Sequence, residues 1–304
     1  MSGVMPRIDA HQHFWALARG DYDWLTPDLA PLCRDFLPHH LAPLLAASGI
    51  QQTVLVQAAP TDAETDFLLT LADANAMIGA VVGWVDLARA DAPVRIARLA
   101  AHPRFRGVRP MLQDLPDPRW LLEPRLEPAL AALVDCNLSL DALIRPVHLP
   151  VLLALLERHP RLRVVIDHGA KPDISGRAWQ NWAPLLARLA AETNACCKLS
   201  GLVTEAGPDW TPTDIAPYAQ HVLGCFGPER TLWGSDWPVL NLASDYGSWS
   251  ALVDDWLAEP ISALGLGLDA AARAMVRGGA AARFYRIEEP ESGVDSGVNR
   301  EGSA

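Results

Sequence analysis

The sequence predicts a single (β/α)8 barrel, and three observations lead to that fold class. Short continuous apolar runs alternate strictly with segments of helical apolar period, which indicates a parallel sheet buried on both faces. About eight such units occur, which favours closure into a barrel. The chain has 304 residues, 50% of them hydrophobic, and a barrel typically needs roughly 250 residues.

Each element of this prediction has a place in the chain. The first strand ends at His11 and His13, and the next seven lie near 53–58, 78–86, 106–110, 138–144, 163–168, 195–200 and 231–236. Helices are predicted between them, near 39–48, 62–76, 92–101, 123–136, 148–158, 177–193, 212–226 and 246–257, and a final helix near 268–284 is expected to pack against the barrel. Segment 14–38 is rich in Trp, Asp and Pro, which predicts a long ordered loop that walls the site.

Two other architectures fit the length. Two ordinary domains are compatible with the composition, and an open doubly wound sheet is compatible with the alternation. A doubly wound sheet normally carries a glycine-rich turn after its first strand, whereas this chain has His11-Gln12-His13-Phe14 there. We therefore predict one barrel domain over residues 1–287. The remainder, 288–304, is rich in Gly, Ser and Glu, which predicts a disordered tail.

Composition excludes several kinds of partner. The formal net charge of -11 and the absence of a Lys/Arg cluster argue against nucleic acid and favour a small-molecule partner. No stretch approaches the roughly 20 apolar residues of a membrane span, and the first residues do not form a signal peptide, so a cytoplasmic location is expected. The five cysteines lack a Cys-x-x-Cys pair and are interpreted as reduced packing residues. The oligomeric state is not set by the sequence.

The pair His11 and His13 is the first candidate site. Side chains two apart on a strand point to one face, so the two imidazoles can serve as a chelate or as a polarising pair. An isolated His-x-His can equally be an incidental loop feature. Two later strand ends favour the functional interpretation, because His168 and Asp236 also follow apolar runs.

Active sites of barrels lie at the carboxyl ends of the strands, so the polar residues there are candidates. They are His11, His13, Gln57, Asp86, Arg109, Asp141 or Arg145, His168, Lys198 and Asp236, with His148 close behind the fifth strand. Structural alternatives exist for several of them: a turn for His168, a helix cap for Asp236, an ion pair for Arg109, and internal salt bridges for Lys198 and Asp86. Trp24 and Trp237 suit either core packing or the apolar face of a substrate. Such a set favours hydrolysis of an activated acyl group, with a carboxylate as general base on water and with imidazoles and a guanidinium stabilising the oxyanion.

Four ordered motifs carry a resemblance to a known family. His-x-His on the first strand, Asp-His-x-x-Lys-Pro on the sixth, Cys-Lys-Leu-Ser-Gly on the seventh and Gly-Ser-Asp-Trp-Pro on the eighth resemble the amidohydrolase superfamily, in its lactonase-type branch. The likeness runs from Ile8 to Tyr285. Members of that branch are barrel hydrolases that open sugar lactones, such as L-fuconolactone or L-rhamnonolactone, or lactones of aromatic breakdown.

The resemblance implies roles for individual residues. Asp236 would activate water, and His11, His13 and His168 would surround the carbonyl or a divalent metal. Arg109, Trp24 and Trp237 would contact substrate, and from their positions Gln57, Asp86 and His148 are expected to read its hydroxyls. The chain has Arg109 and Asp141 where binuclear members have a bridging Lys or Glu and a histidine, so one ion such as Zn²⁺, held by the three histidines and Asp236, is expected. Activity without any metal stays an alternative.

The expected substrate is a deoxy or simple L-sugar lactone. The strand-end set lacks the arginine cluster that a dicarboxylate lactone would require. Three alternatives stay open: a 2-pyrone or muconolactone type of lactonase, a metal-dependent non-oxidative decarboxylase on the same barrel, and a barrel that binds a sugar acid without turnover.

Overall fold

A computed structural model describes residues 5–258 and 267–288, and its central feature is an eight-stranded parallel sheet in sequential order. The strands are Ile8–Gln12 (β1), Gln52–Val56 (β2), Ile78–Gly83 (β3), Phe105–Val108 (β4), Ser139–Ala142 (β5), Arg163–Ile166 (β6), Cys196–Leu199 (β7) and Thr231–Trp233 (β8). Each strand from β1 to β7 pairs in parallel with the next one. The predicted barrel is confirmed.

The barrel closes between β1 and the segment that follows β8. The Asp236 amide donates to the His11 carbonyl at 2.8 Å, and the His13 amide donates to the Trp237 carbonyl at 2.8 Å. These two bonds extend the ladder beyond β8, so both predicted histidines and the predicted base lie on one seam of the barrel.

Helices follow the strands as predicted. They are Pro38–Ala47 (α1), Asp62–Ala74 (α2), Ala92–Ala100 (α3), Glu127–Asp135 (α4), Leu149–Arg158 (α5), Ala183–Glu192 (α6), Pro212–Arg230 (α7), Tyr246–Ala258 (α8), Ala270–Ala274 (α9) and Ala280–Tyr285 (α10). The predicted final helix is interrupted by a π turn at Met275–Gly279, where Gly278 departs from helical backbone angles. Helix α6 begins later than predicted, because the residues before it form a short 3-10 turn at Trp179–Asn181.

Helix α10 covers the amino-terminal end of the barrel. Its residues Ala280, Ala281, Phe284 and Tyr285 form one buried cluster with apolar side chains of β1, β2, β3, β6 and β8. Arg163, the first residue of β6, donates to the Phe284 carbonyl. The opposite, carboxyl end of the strands is therefore the end that is left for a site.

The loop at 14–38 is ordered, as predicted. It contains two 3-10 segments, Leu17–Arg19 and Pro27–Leu32, which its apolar period does not signal. Trp15 packs edge-on against Phe36, with ring centroids 5.2 Å apart, and the two residues also pair through their backbones. Aromatic packing therefore orders a segment that lacks regular secondary structure.

Several smaller expectations have mixed outcomes. All five cysteines are free, but Cys33 is exposed rather than a packing residue. His221 is part-buried and packs against the Trp179 and Trp182 rings. Within the described residues no helix is long and apolar enough to cross a membrane. The predicted tail lies outside the described residues, apart from Glu288.

Gly234 provides a test of how tightly β1 and β8 approach. A Cβ atom there would lie 2.8 Å from the His11 Cβ and 3.0 Å from the His11 amide nitrogen. Because that contact includes backbone, we expect Gly234→Ala to lower the free energy of unfolding by about 1–3 kcal/mol. Urea denaturation measures the change. Gly224→Ala on α7 is the control, since nothing lies within 4 Å of its Cβ position, and an equal loss in both variants would contradict the explanation.

Candidate active site

The four residues predicted as catalytic and metal-binding converge at the carboxyl end of the barrel. His11 is the last residue but one of β1, His13 directly follows that strand, His168 follows β6 and Asp236 follows β8. The distances from Asp236 Oδ1 are 3.3 Å to His13 Nε2, 3.7 Å to His11 Nε2 and 3.8 Å to His168 Nε2. The two Nε2 atoms of His11 and His13 are 3.2 Å apart, and all four side chains are buried.

Unusual backbone places two of these side chains. His168 and Asp236 both have left-handed backbone, with φ of 53° and 60°. Such a conformation costs a non-glycine residue of order 1–3 kcal/mol and persists where the surroundings impose it. In both residues the left-handed backbone directs a side chain that lies shortly after a strand towards the centre of the cluster.

Partners on the far side of each ring fix how the imidazoles face the centre. His13 Nδ1 lies 2.8 Å from the Val56 carbonyl, which only accepts hydrogen bonds, so Nδ1 carries a proton, and in the neutral form of the ring Nε2 presents a lone pair. His168 Nδ1 lies 2.9 Å from the Ser200 hydroxyl. Such outer partners orient metal-binding histidines and set their tautomer.

Burial and neighbouring groups set the charges of the cluster. Burial lowers the pKa of His168 to about 4, so its ring is neutral near pH 7. Burial opposes ionisation of Asp236, but the adjacent His168 and His13 side chains outweigh it and hold the pKa of this carboxyl below its usual value. Near neutral pH the centre therefore contains a carboxylate facing the neutral rings of His11 and His168.

This arrangement fits one divalent metal ion. Ligand bonds of about 2.0–2.1 Å in a tetrahedron separate neighbouring ligand atoms by about 3.3 Å, and the observed separations of 3.2–3.8 Å are close to that value. The Nε2 atoms of His11 and His13 lie at hydrogen-bonding distance, so a cation held between them would take the place of the proton that they share. His11, His13 and Asp236 form a group whose ligand atoms lie within 4.8 Å of one another, and His168 adjoins it.

A buried charge network lies next to the four-residue cluster. The Lys198 ammonium lies 2.7 Å from Asp141 Oδ2, 3.0 Å from Asp167 Oδ1 and 3.1 Å from His11 Nδ1. Of the two interpretations that the sequence left for Lys198, the structure favours the internal salt bridge. Asp141 lies within β5 and accepts a hydrogen bond from Tyr285 of α10 at 2.5 Å, so it is not a strand-end ligand.

Two buried carboxylates were not identified as site residues by sequence reasoning. Asp167 contacts His11 Nδ1 at 3.4 Å, and its position directly before His168 was an available signal. Asp9 accepts from the Ser235 hydroxyl at 2.6 Å and from the Tyr246 hydroxyl at 3.0 Å, and it supports the turn before Asp236. Asp9 acts on the cluster through Ser235, which a search for strand-end residues does not detect, whereas Asp167 directly follows β6 and touches His11 itself.

The side chains of Arg109 and Gln57 each donate to the backbone carbonyl of the other residue. The Gln57 amide donates to the Arg109 carbonyl at 2.7 Å, and the Arg109 guanidinium donates back to the Gln57 carbonyl. Arg109 also lies 3.5 Å from Asp167 Oδ2. The arginine is thus at the edge of the cluster, whereas the Gln57 side chain is engaged as a brace, and its predicted contact with substrate stays a prediction.

The other predicted substrate contacts lie in different surroundings. Trp24 is half-buried, and its Nε1 donates to the Ala58 carbonyl at 2.8 Å. Trp237 is 2% exposed and packs edge-on against Phe14 and Phe36, which favours the core-packing interpretation over substrate contact. His148 is buried, and its Nδ1 lies 3.2 Å from the amide of Arg145 in its own turn, which favours a structural role.

A cavity of about 870 Å³ opens over the loops that follow β1 to β4. Its wall includes Trp24, Trp84 and Trp120 and reaches Pro110, the residue after Arg109, while none of the four clustered side chains is part of that wall. Acidic side chains in the wall outnumber basic ones: Asp21, Asp23, Asp86 and Asp114 against Arg125. Asp86 thus has a place where a ligand can reach it, and the predicted loop at 14–38 does form part of the wall.

An eight-stranded parallel barrel with three imidazoles and a carboxylate at its carboxyl end defines a class of proteins that activate water, commonly with a bound metal. The comparison with known families agrees with that class. The chain belongs to the amidohydrolase family, whose model matches residues 8–287.

Two relatives and one solved structure are similar to this chain over 93% of its length. The chain is 51% identical over 286 residues to the L-fucono-1,5-lactonase of Burkholderia ambifaria, with 93% of this chain and 97% of that protein covered. It is 38% identical to the L-fucono-1,5-lactonase of Burkholderia multivorans, again with 93% and 97% covered. A crystal structure of an amidohydrolase from Burkholderia multivorans with bound zinc superposes with a TM-score of 0.86 at 37% identity, covering 93% of this chain and 100% of that one.

Proposed function

We propose that the protein hydrolyses the ring ester of an uncharged L-sugar lactone of the L-fucono-1,5-lactone type. The observation that carries the proposal is the convergence of the Asp236 carboxylate with three imidazoles at the mouth of the barrel. The two L-fucono-1,5-lactonases that align over nearly the whole chain support it. We place the activity in the cytoplasm, as the sequence suggested.

Asp236 is the proposed general base. Its Oδ1 is the carboxylate oxygen nearest each imidazole, which leaves Oδ2 to accept a proton from water. The water oxygen bonds to the lactone carbonyl carbon, and the ring C–O bond then breaks. The proton on Asp236 passes to the departing ring oxygen, so the product is a hydroxy acid, which ionises near neutral pH.

The oxyanion needs a positive partner, which a neutral imidazole does not supply. The proton on His13 Nδ1 is engaged by the Val56 carbonyl and faces away from the centre. A divalent ion held by His11, His13, His168 and Asp236 would supply electrophilic polarisation of the carbonyl. Arg109 lies at the edge of the cluster and is the residue that we expect to hold the substrate there.

The cavity suits an uncharged polyhydroxy ligand. Carboxylates of Asp23, Asp86 and Asp114 can accept hydrogen bonds from hydroxyls, and half-buried indoles can cover the apolar face of a sugar ring. The same carboxylates repel an anionic ligand. This charge pattern disfavours a dicarboxylate lactone and a carboxylated decarboxylase substrate, the two alternatives that share the fold.

A panel of lactones tests the substrate class. We expect higher kcat/KM on L-fuconolactone, L-rhamnonolactone or L-galactonolactone than on a pyrone dicarboxylate, because the latter meets the acidic wall. A pH-indicator assay measures turnover, since opening a lactone releases a proton and decarboxylation consumes one. Higher kcat/KM on the dicarboxylate, or CO2 without acid release, would contradict the proposal. Ligands that raise Tm without either signal would indicate a binding protein.

Asp236→Asn tests the base. The amide keeps the shape of the side chain but lacks the basic oxygen that takes water's proton, so kcat should fall by about 10²–10⁴-fold. The fold should persist, because Asn adopts the left-handed backbone of this position about as readily as Asp does. Circular dichroism checks folding while kcat is measured under conditions in which chemistry limits the rate. If more than about a tenth of wild-type kcat remains, the base is another residue, His168 first.

Metal analysis tests the ligand set. We expect about one equivalent of Zn²⁺ per chain after growth with added zinc, because imidazole and carboxylate are good ligands for that ion. His13→Ala should lose most of it, whereas the control His39→Ala, in the exposed first turn of α1, should keep it. Less than about a tenth of an equivalent in the wild type would contradict the site. Full activity after chelation would show that the protein groups alone polarise the carbonyl.

A further inference from the structure

The segment just after β2 supports three predicted site residues through consecutive carbonyl groups. The carbonyls of Val56, Gln57 and Ala58 accept, in order, from His13 Nδ1 at 2.8 Å, from the Arg109 guanidinium, and from Trp24 Nε1 at 2.8 Å. A proposed metal ligand, the arginine at the edge of the cluster and an indole of the cavity wall therefore depend on the placement of one short stretch of backbone.

The Glu64 carboxylate anchors this stretch of backbone through hydrogen bonds. It is fully buried in the first turn of α2, and its carboxylate accepts from the Ala58 amide at 3.0 and 3.1 Å and from the Ala59 amide at 2.5 Å. The hydroxyl of Thr61 accepts from the Glu64 amide at 3.0 Å and caps the same helix. Both carboxylate oxygens are thus used to fix two successive peptide groups.

We propose that Glu64 is a positioning residue, whose carboxylate holds residues 56–59 so that their carbonyls orient Arg109, Trp24 and His13 for substrate binding. The proposal rests on the lactonase function proposed above for its kinetic consequences. Its structural part stands on the hydrogen bonds alone. A carboxylate suits the task because it accepts only, whereas an amide or a protonated carboxyl would turn a donor towards one of the two N–H groups.

The charges around Glu64 make this clamp sensitive to pH. Burial raises the pKa of Glu64 to about 7, with the two amide hydrogen bonds and Arg109 acting to lower it and Asp21 acting to raise it. Tyr22 also faces Glu64, and burial raises the pKa of this tyrosine well above its usual value. As the pH falls through about 7, Glu64 gains a proton, the clamp weakens and kcat/KM should fall.

Glu64→Gln tests the proposal, because it changes neither the length nor the shape of the side chain. We expect KM for the lactone to rise about tenfold, the scale of one weakened hydrogen bond, with a smaller change in kcat. The acid limb of kcat/KM near pH 7 should disappear in a profile from about pH 5 to about pH 8. Asp66→Asn is the matched control, since it neutralises an exposed carboxylate of the same helix that pairs with Arg95 at 2.8 Å.

A second measurement does not depend on turnover. Amide hydrogen exchange of Ala58 and Ala59 should be at least about tenfold faster in Glu64→Gln than in Asp66→Asn, because the glutamine amide leaves one of the two anchored N–H groups without an acceptor. Glu64→Asp, which is charged but shorter, should keep the acid limb and show a raised KM. Unchanged exchange in Glu64→Gln would overturn the proposal, as would unchanged KM with an intact acid limb in an active enzyme. If the wild type opens no lactone but amide exchange still differs between the two variants, the lactonase function is refuted and the clamp formed by Glu64 stands.

Discussion

The buried ion cluster around Lys198 is the interaction on which the site depends. The Lys198 side chain is 0% exposed and lies among Asp141, Asp167 and His11. Together with Lys198, these residues come from four different strands or strand ends. An unpaired charge in that environment would cost several kcal/mol, so the ammonium requires both carboxylates near it. The strands must therefore meet in one register, and that register also brings His11 to the mouth of the barrel.

The same cluster joins the two ends of the barrel. Tyr285 of α10, which covers the amino-terminal end, donates to Asp141, while Asp167 on the other side of the ammonium lies against His11 and Arg109. Burial works against the charge on Asp167, but Lys198 and then His11 outweigh it and hold the pKa of that carboxyl well below its usual value. A continuous polar path thus runs from the closing helix to the candidate metal ligands, and it consists of groups that are paired with each other.

Much of the fold and the centre of the site could be predicted from the sequence because both follow local rules. Apolar period marked the strands and helices, and the strand-end rule found His11, His13, His168 and Asp236. Glu64 was missed because its partners are backbone amides, which no pattern of side chains reveals. The same rule identified the positions of Gln57 and His148, and the resemblance identified Trp237, but neither showed where the side chain points. Gln57 donates to the Arg109 carbonyl, Trp237 packs in the aromatic core, and His148 bonds within its own turn.

The neighbours of His11 explain how a charged lysine can lie beside a metal ligand. An ammonium has no lone pair, so when Lys198 donates to His11 Nδ1 the proton of the neutral ring lies on Nε2, and this nitrogen cannot bind a cation. When Nδ1 instead donates to Asp167, at 3.4 Å, Nε2 presents its lone pair to the centre, as His13 does. Burial and then Lys198 lower the pKa of His11 well below its usual value, so the ring stays neutral in both arrangements. Lys198 retains two carboxylate partners in either case, so a cation held at the centre would favour the second arrangement at the cost of one hydrogen bond. The buried aspartate therefore makes the imidazole available, and the lysine balances its charge.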